Sequence, residues 1–408
     1  MLEVKHVEKV NQIILLLIFA IYPIIALPFI LIEIYNNKRY AYSCLSIFLG
    51  YIALLYPPTG DLYRYAQDYF LFYSLDYSDF IHLLEFKIDF IHPCFLWLLG
   101  KLNVNCDVSR FIYVWFSSEL IFSMFYEIFH NSQNRIMRFV SFSILILLLS
   151  FTSFLFRYGF SVILFVYGTF LVIFKNNRIK GYLFIIIAAL YHFSLLIFLF
   201  SFLIQDKFNY KGNKKVALIC VIGTFVFSTD IITQVINYLP FDAKLIDHLL
   251  IYTDGYYAGD FYEDHSLKYR IGVMLQKTNF ILLILVYCFN YKYNKLSGWI
   301  TILLMILFVF SPFAKIKARF ELILVLTSLI YVIKLFADNQ VKYIYKTRKI
   351  LVYAGIFYTC ISLWTIRRQL SLSMEEKLFL PTYAIVTSTY TEDWINRNIH
   401  PDGDLVLP

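Results

Sequence analysis

Six ionisable side chains, Asp61, Arg157, His192, Lys315, Lys317 and Arg319, stand where so apolar a chain has no cheap place for them. A carboxylate, an imidazole and four cations are the parts needed to take a proton from a hydroxyl and to hold a departing anion. Arg157 separates two apolar runs, SFTSFLF and YGFSVILFVYG. It reads either as an arginine snorkelling at a helix end or as an anion ligand. His192, followed by Ser194, lies midway along the apolar stretch 181–204, where a hydrogen-bonded core histidine and a catalytic group look alike.

A second group lies in PPTGDLYRYAQDYF, residues 57–70. Pro57, Pro58 and Gly60 make a turn, and Asp61 falls where a helix N-cap belongs. Asp61, Tyr65 and Tyr69 then recur every four residues, which puts a carboxylate and two phenols on one helical stripe able to bond and stack a sugar. A cap followed by an interfacial aromatic belt gives the same spacing. Arg64 falls on a neighbouring face. The third group is SPFAKIKARFE, residues 311–321, a turn bearing Lys315, Lys317 and Arg319. Arginine offers a planar fork for phosphate and lysine a point charge.

The elements that must carry these groups follow from composition. Of 408 residues, 60% are hydrophobic and 16% charged, with a mean hydropathy of +0.66. Soluble domains are about 45–50% apolar and about 25% charged, so a soluble protein is excluded. About 20 apolar residues cross a bilayer, and such stretches recur at 12–35, 40–56, 108–130, 139–156, 158–174, 181–204, 216–236, 273–291, 298–313, 320–336 and 349–366. Lys5, His6 and Lys9 before the first of these resemble a signal peptide's basic start, yet the apolar stretch is too long and lacks a small-residue cleavage site. Pro23 and Pro28 are expected to kink that helix. A shorter piece, 88–102, contains His92 and Pro93 and reads as re-entrant. The expectation is one all-α polytopic membrane domain over residues 1–408, with about 11–12 spanning or re-entrant helices.

Basic loop clusters set the orientation. Lys38/Arg39, Arg135/Arg138, Lys175/Arg178/Lys180, Lys207/Lys211/Lys214/Lys215, Lys292/Lys295 and Lys342/Lys346/Arg348/Lys349 are all expected in the cytoplasm. They account for the net charge of +8 without nucleic acid. The loops at about 57–107 and 237–272, the turns at Arg157 and at Lys315–Arg319, and the tail at about 367–408 fall outside. Stretch 181–204 then has both ends inside, which a hairpin bent at Tyr191 and His192 or a miscounted span would reconcile. The six cysteines are scattered without metal-ligand spacing; only Cys94 and Cys106 flank one outer loop and could pair.

On these residues the chain resembles the EpsG family of polysaccharide polymerases, close to the Wzy-type O-antigen polymerases. The matching pieces are T-G-D-x-x-x-Y-x-x-x-Y (Asp61, Tyr65, Tyr69), H-P-x-F-x-x-L from His92 to Leu98, Arg157 ahead of an apolar helix, A-L-Y-H-F-S-L-L around His192 and Ser194, and the basic turn with Arg319. The family tends to carry an arginine upstream of its G-T-D, an acid where His92 stands, and often glutamine where Tyr158 stands.

The resemblance implies a glycosyltransferase of the bacterial inner membrane whose active site faces the periplasm or exterior. It would transfer a glycan from undecaprenyl diphosphate onto a lipid-linked repeat unit, without metal or cofactor. His192 and Asp61 are then the catalytic candidates: either could be the base, with His192 favoured as base or diphosphate ligand and Asp61 as acceptor or substrate binder. Arg157, Arg319, Lys315 and Lys317 would bind diphosphate, and Tyr65, Tyr69 and Arg64 the glycan. Its partners would be the lipid-linked donor and acceptor, membrane lipid and a chain-length regulator protein. O-antigen ligase, lipid-linked oligosaccharide flippase and membrane-bound O-acyltransferase are the rival classes; a flippase should show two related halves, and no internal repeat is visible. If the enzyme reading holds, Arg157, His192 and Arg319 should converge.

Overall fold

The structure is a computed structural model that describes residues 2–85, 87, 89–130, 132, 134–149, 151–224, 280–311, 313–340, 344–373, 377–387 and 390–403; side chains 2–9, 11, 151, 314, 315, 344, 370, 372 and 373 fall outside the description. The loop expected at 237–272 and parts of stretches 216–236 and 273–291 lie outside the described residues. No β-strand occurs among the described ones, as an all-α membrane protein requires.

The chain begins with α1 (Leu2–Ile21), α2 (Pro23–Tyr35) and α3 (Arg39–Leu55), followed by three short helices, α4 (Asp61–Ser74), α5 (Tyr77–Leu84) and α6 (Ile91–Lys101). Next come α7 (Asp107–Phe129), α8 (Arg135–Leu148), α9 (Arg157–Lys175), α10 (Arg178–Tyr191), α11 (Leu196–Phe208) and α12 (Lys214–Gly223). After α13 (Phe280–Phe289) the chain forms α14 (Lys295–Val309), α15 (Ala314–Ala337) and α16 (Ile344–Thr365). Three small helices close the chain: α17 (Arg367–Ser373), α18 (Thr382–Thr387) and α19 (Glu392–Asn398).

Among the described residues three helices are long and apolar enough to cross a bilayer by themselves: α7, α9 and the Ile316–Ala337 part of α15. They pack on one another and form the centre, with Val162, Ile163 and Phe165 of α9 fully buried. Helix α9 folds back onto α10 through Asn176, in the left-handed conformation, and Asn177, whose side chain caps α10 by accepting from the Lys180 N–H. Asparagine serves both roles because its short amide bonds locally and tolerates positive φ. Gly168 and Gly181 let the two backbones meet: a Cβ on Gly168 would stand 2.6 Å from the Gly181 carbonyl oxygen. Small residues allow such close approach where hydrophobic driving force between helices is lacking.

Four expectations need amendment. Pro23 does not kink a single helix but ends α1 and opens α2, since its ring removes a backbone donor and crowds the preceding turn; Pro28 stays inside α2. Stretch 139–156 is helical only to Leu148 and closes in a 3-10 turn, Phe151–Leu155. Asp61 is the first residue of α4 and caps nothing; Gly60, at φ 60°, holds the N-cap position. The cations of 311–321 sit on the opening turns of α15, not in a turn before it. All six cysteines, Cys94 and Cys106 included, are free thiols.

Stretch 181–204 folds back on itself as a hairpin. The helix breaks at His192, which is extended at φ −146°, ψ 109°. The C-terminal end of α11 then returns to the start of α10, where Asp206 accepts from the Tyr182 hydroxyl at 2.9 Å and pairs with Arg178 at 3.6 Å. At about 1.5 Å per residue, each arm is about 20 Å long and falls short of a bilayer's width. The α6 helix, eleven residues long, is shorter still.

Candidate active site

At the hairpin apex, Tyr191 meets His92 of α6 and Tyr113 of α7, and His192 meets Tyr158 of α9. Arg157 is the first residue of α9, and its Nη2 lies 3.3 Å from Asp89 Oδ2. The other oxygen of Asp89 accepts the Phe193 N–H at 2.7 Å, so one carboxylate ties the arginine to the apex. The His192 ring meets the Tyr158 ring edge-on at 4.9 Å. Tyr158 donates its hydroxyl to the Arg319 carbonyl at 2.6 Å, and the Arg319 guanidinium lies 5.9 Å from the same ring. Arg157, His192 and Arg319, scattered over the sequence, therefore converge around Tyr158 and Asp89.

His192 Nδ1 shares a 2.9 Å hydrogen bond with Ser194 Oγ. Where Nδ1–H donates, Nε2 is left to accept a proton; the tautomer is an assignment the bond permits. Behind the apex lies a buried relay in which His92 Nδ1 and Tyr113 OH are 2.6 Å apart, as are Tyr113 OH and Tyr191 OH. The Tyr65 ring stacks edge-on to His92 at 4.5 Å.

Tyr65 meets the backbone N–H of Arg157 and stands within the fields of Arg157, Asp61 and Arg319; burial of its hydroxyl end holds the phenol above its ordinary range. Burial likewise raises Asp68, partly offset by Lys87, 4.0 Å away, and by Arg157. Asp61 and Arg64 form an exposed pair at 3.1 Å. Tyr69 turns the other way. Its ring is buried and its hydroxyl donates to the Val104 carbonyl at 3.0 Å, so the stripe splits into Asp61 and Tyr65 on the site and Tyr69 in a core.

Lys317 Nζ donates to the Thr224 carbonyl at 3.2 Å. Lys315 lies in α15, but its side chain is outside the described residues. Arginine and lysine at helix starts oppose the helix dipole. Arg157 and Arg319 accept that cost, and an anion placed there would meet two guanidiniums and the N-terminus of α9 together. Among the described residues no three His, Cys, Asp or Glu side chains gather as metal ligands would; the site's charge is mainly cationic.

Asp89 escaped the sequence reading because it was absorbed into the short apolar piece 88–102. The available signal was an acid at the mouth of an apolar run. Tyr158 was noted only as a departure from the resembling family, and its position between His192 and Arg319 required the fold.

A helical membrane bundle whose buried break and two helix starts gather arginines, a histidine and a carboxylate defines an integral-membrane protein with a mainly cationic cluster at its centre. The EpsG family model matches residues 39–381, and the chain belongs to that family. It is thus a polysaccharide-polymerase-like membrane protein of glycosyltransferase type. No curated protein and no solved structure matches it.

Proposed function

We propose that the protein polymerises a surface glycan at the periplasmic face of the bacterial inner membrane, using undecaprenyl-diphosphate-linked repeat units. The observation that carries this reading is the convergence of Arg157, His192 and Arg319 around Tyr158 and Asp89. In the reaction, an acceptor hydroxyl oxygen bonds to the anomeric carbon of the donor glycan. The bond from that carbon to the diphosphate oxygen breaks, and undecaprenyl diphosphate departs with the electron pair. The hydroxyl proton passes to His192 Nε2, with Ser194 fixing the ring.

Arg157 and Arg319 stabilise charge on the leaving diphosphate, the role in which preorganised donors act most strongly. Lys317, which donates to the Thr224 carbonyl, and Lys315, on the same helix, complete the set assigned to the diphosphate. Asp61 orients the acceptor hydroxyls, Tyr65 offers them a ring, and the exposed Arg64 supports the Asp61 carboxylate. In this reading the cations do what a metal would otherwise do, and no cofactor takes part. A chain-length regulator would act on this cycle from outside the bundle.

The test is the glycan of a deletion strain. Single repeat units on the lipid core support polymerase function; no repeat units at all would instead indicate a ligase or a flippase and contradict it.

A further inference from the structure

The far C-terminal segment lies against the turn that launches Asp61. Tyr390 reaches it through two bonds: its N–H donates to Asp107 Oδ2 at 2.9 Å, and its hydroxyl donates to the Leu55 carbonyl at 2.8 Å. Leu55 ends α3, so its carbonyl is one of those that no later helical N–H can satisfy. The neighbouring Tyr56 carbonyl is taken by Arg110, which pairs with Asp107. The Asp107 and Arg110 side chains are 2% and 4% exposed. A buried ion pair is tolerated only when its remaining donors and acceptors are filled, and Tyr390 fills the second oxygen of Asp107. Its ring lies 5.5 Å from the Arg110 guanidinium and 5.1 Å from Lys377 Nζ.

A second anchor closes the same turn. The Gly60 N–H donates to the Gly403 carbonyl at 2.8 Å. Gly403 has φ +90°, and a Cβ there would lie 2.9 Å from Gly60 Cα and 3.0 Å from its N and O. Between the anchors, Ile395 and Ile399 pack with Tyr69, Ala66 and Cys106. Thus the tail packs on α4 at Ala66 and Tyr69, one turn beyond Tyr65, and holds the turn that precedes Asp61.

We propose that this C-terminal segment is part of the active site, with Tyr390 the positioning residue: it straps the Tyr56–Gly60 turn and so sets where Asp61 stands. The proposal rests on the assignment of Asp61 to acceptor binding. Among the described residues Asp61 pairs with the exposed Arg64, and its placement is inherited from the turn before it.

The experiment uses the full-length protein in nanodiscs with undecaprenyl-diphosphate-linked repeat units as substrate. Tyr390→Phe keeps the ring and the backbone N–H but removes one hydroxyl bond; Gly403→Ala pushes the second anchor off Gly60. Each should raise amide exchange over residues 56–63 and raise KM for the repeat unit about fivefold, as expected for one lost hydrogen bond, with kcat changing less. In an Asp61→Asn background neither should raise KM further, because the effect runs through Asp61. Unchanged exchange over 56–63 in both variants, or an equal KM rise in the Asp61→Asn background, overturns the proposal. Raised exchange with an Asp61→Asn protein of normal KM shows that the strap holds the turn while the acceptor role of Asp61 fails, which separates the two readings.

Discussion

Asp89 holds Arg157 at 3.3 Å and, through its other oxygen, the Phe193 N–H at 2.7 Å, so the arginine at the start of α9 and the apex of the α10–α11 hairpin share one carboxylate. Phe193 is the residue after His192. The same contact therefore aims a cation and places the candidate base. Asp89→Ala removes both bonds. Hydrogen bonds to charged groups contribute about 1.5–3 kcal/mol, so polymer synthesis should fall about 10- to 100-fold at unchanged protein level. Polymer quantified against an immunoblot measures this, and near-normal polymer would remove Asp89 from the site.

Arg157→Lys keeps the charge and loses the fork. If bidentate recognition of diphosphate matters, lysine should restore little of what Arg157→Ala loses. Arg319→Ala should lose activity to a similar degree. Steady-state rates on lipid-linked repeat units check both, and full activity of the lysine variant would show that charge alone suffices.

His192→Gln preserves a hydrogen-bonding side chain but offers no ring nitrogen to take the acceptor's proton. Turnover should drop about 100-fold or more, within the range typical of general-base catalysis, while KM for the repeat unit stays within about twofold. A KM rise with intact kcat would make His192 a ligand of the substrate and not its base.

Tyr158→Phe loses only the bond to the Arg319 carbonyl, whereas Tyr158→Ala also removes the ring between His192 and Arg319. Activity should fall modestly in the first and severely in the second. Equal loss in both would assign the effect to the hydroxyl.

Gly168→Val tests the scaffold apart from the chemistry. The added carbons would meet the Gly181 carbonyl and Ile185, and overpacking a tight contact costs about 1–3 kcal/mol. The variant should unfold at lower temperature in detergent; an unchanged midpoint would show that α9 and α10 separate without penalty.

The membrane class was legible because apolar length and basic loop clusters are local properties of the chain. Arg157, His192 and Arg319 were legible for the converse reason: charge in an apolar stretch is costly and needs a purpose. Their convergence depends on the break at His192 and the return of α11 to Asp206, and apolar length alone could not separate a hairpin from a crossing. The Asp61–Tyr65–Tyr69 stripe was half legible. Helical spacing placed all three on one side, but a stripe that spans two turns can enter a core at one end, as Tyr69 does at Val104. Asp89 and Tyr390 were hidden because each acts through contacts distant in sequence.

The most direct measurement is polymer formation by the purified protein from undecaprenyl-diphosphate-linked repeat units, with released undecaprenyl diphosphate counted alongside. Wild-type protein should give a ladder of lengths with one lipid diphosphate freed per new linkage, and Arg157→Ala should give neither. A normal ladder from Arg157→Ala, or no ladder from the wild-type protein, would contradict the account.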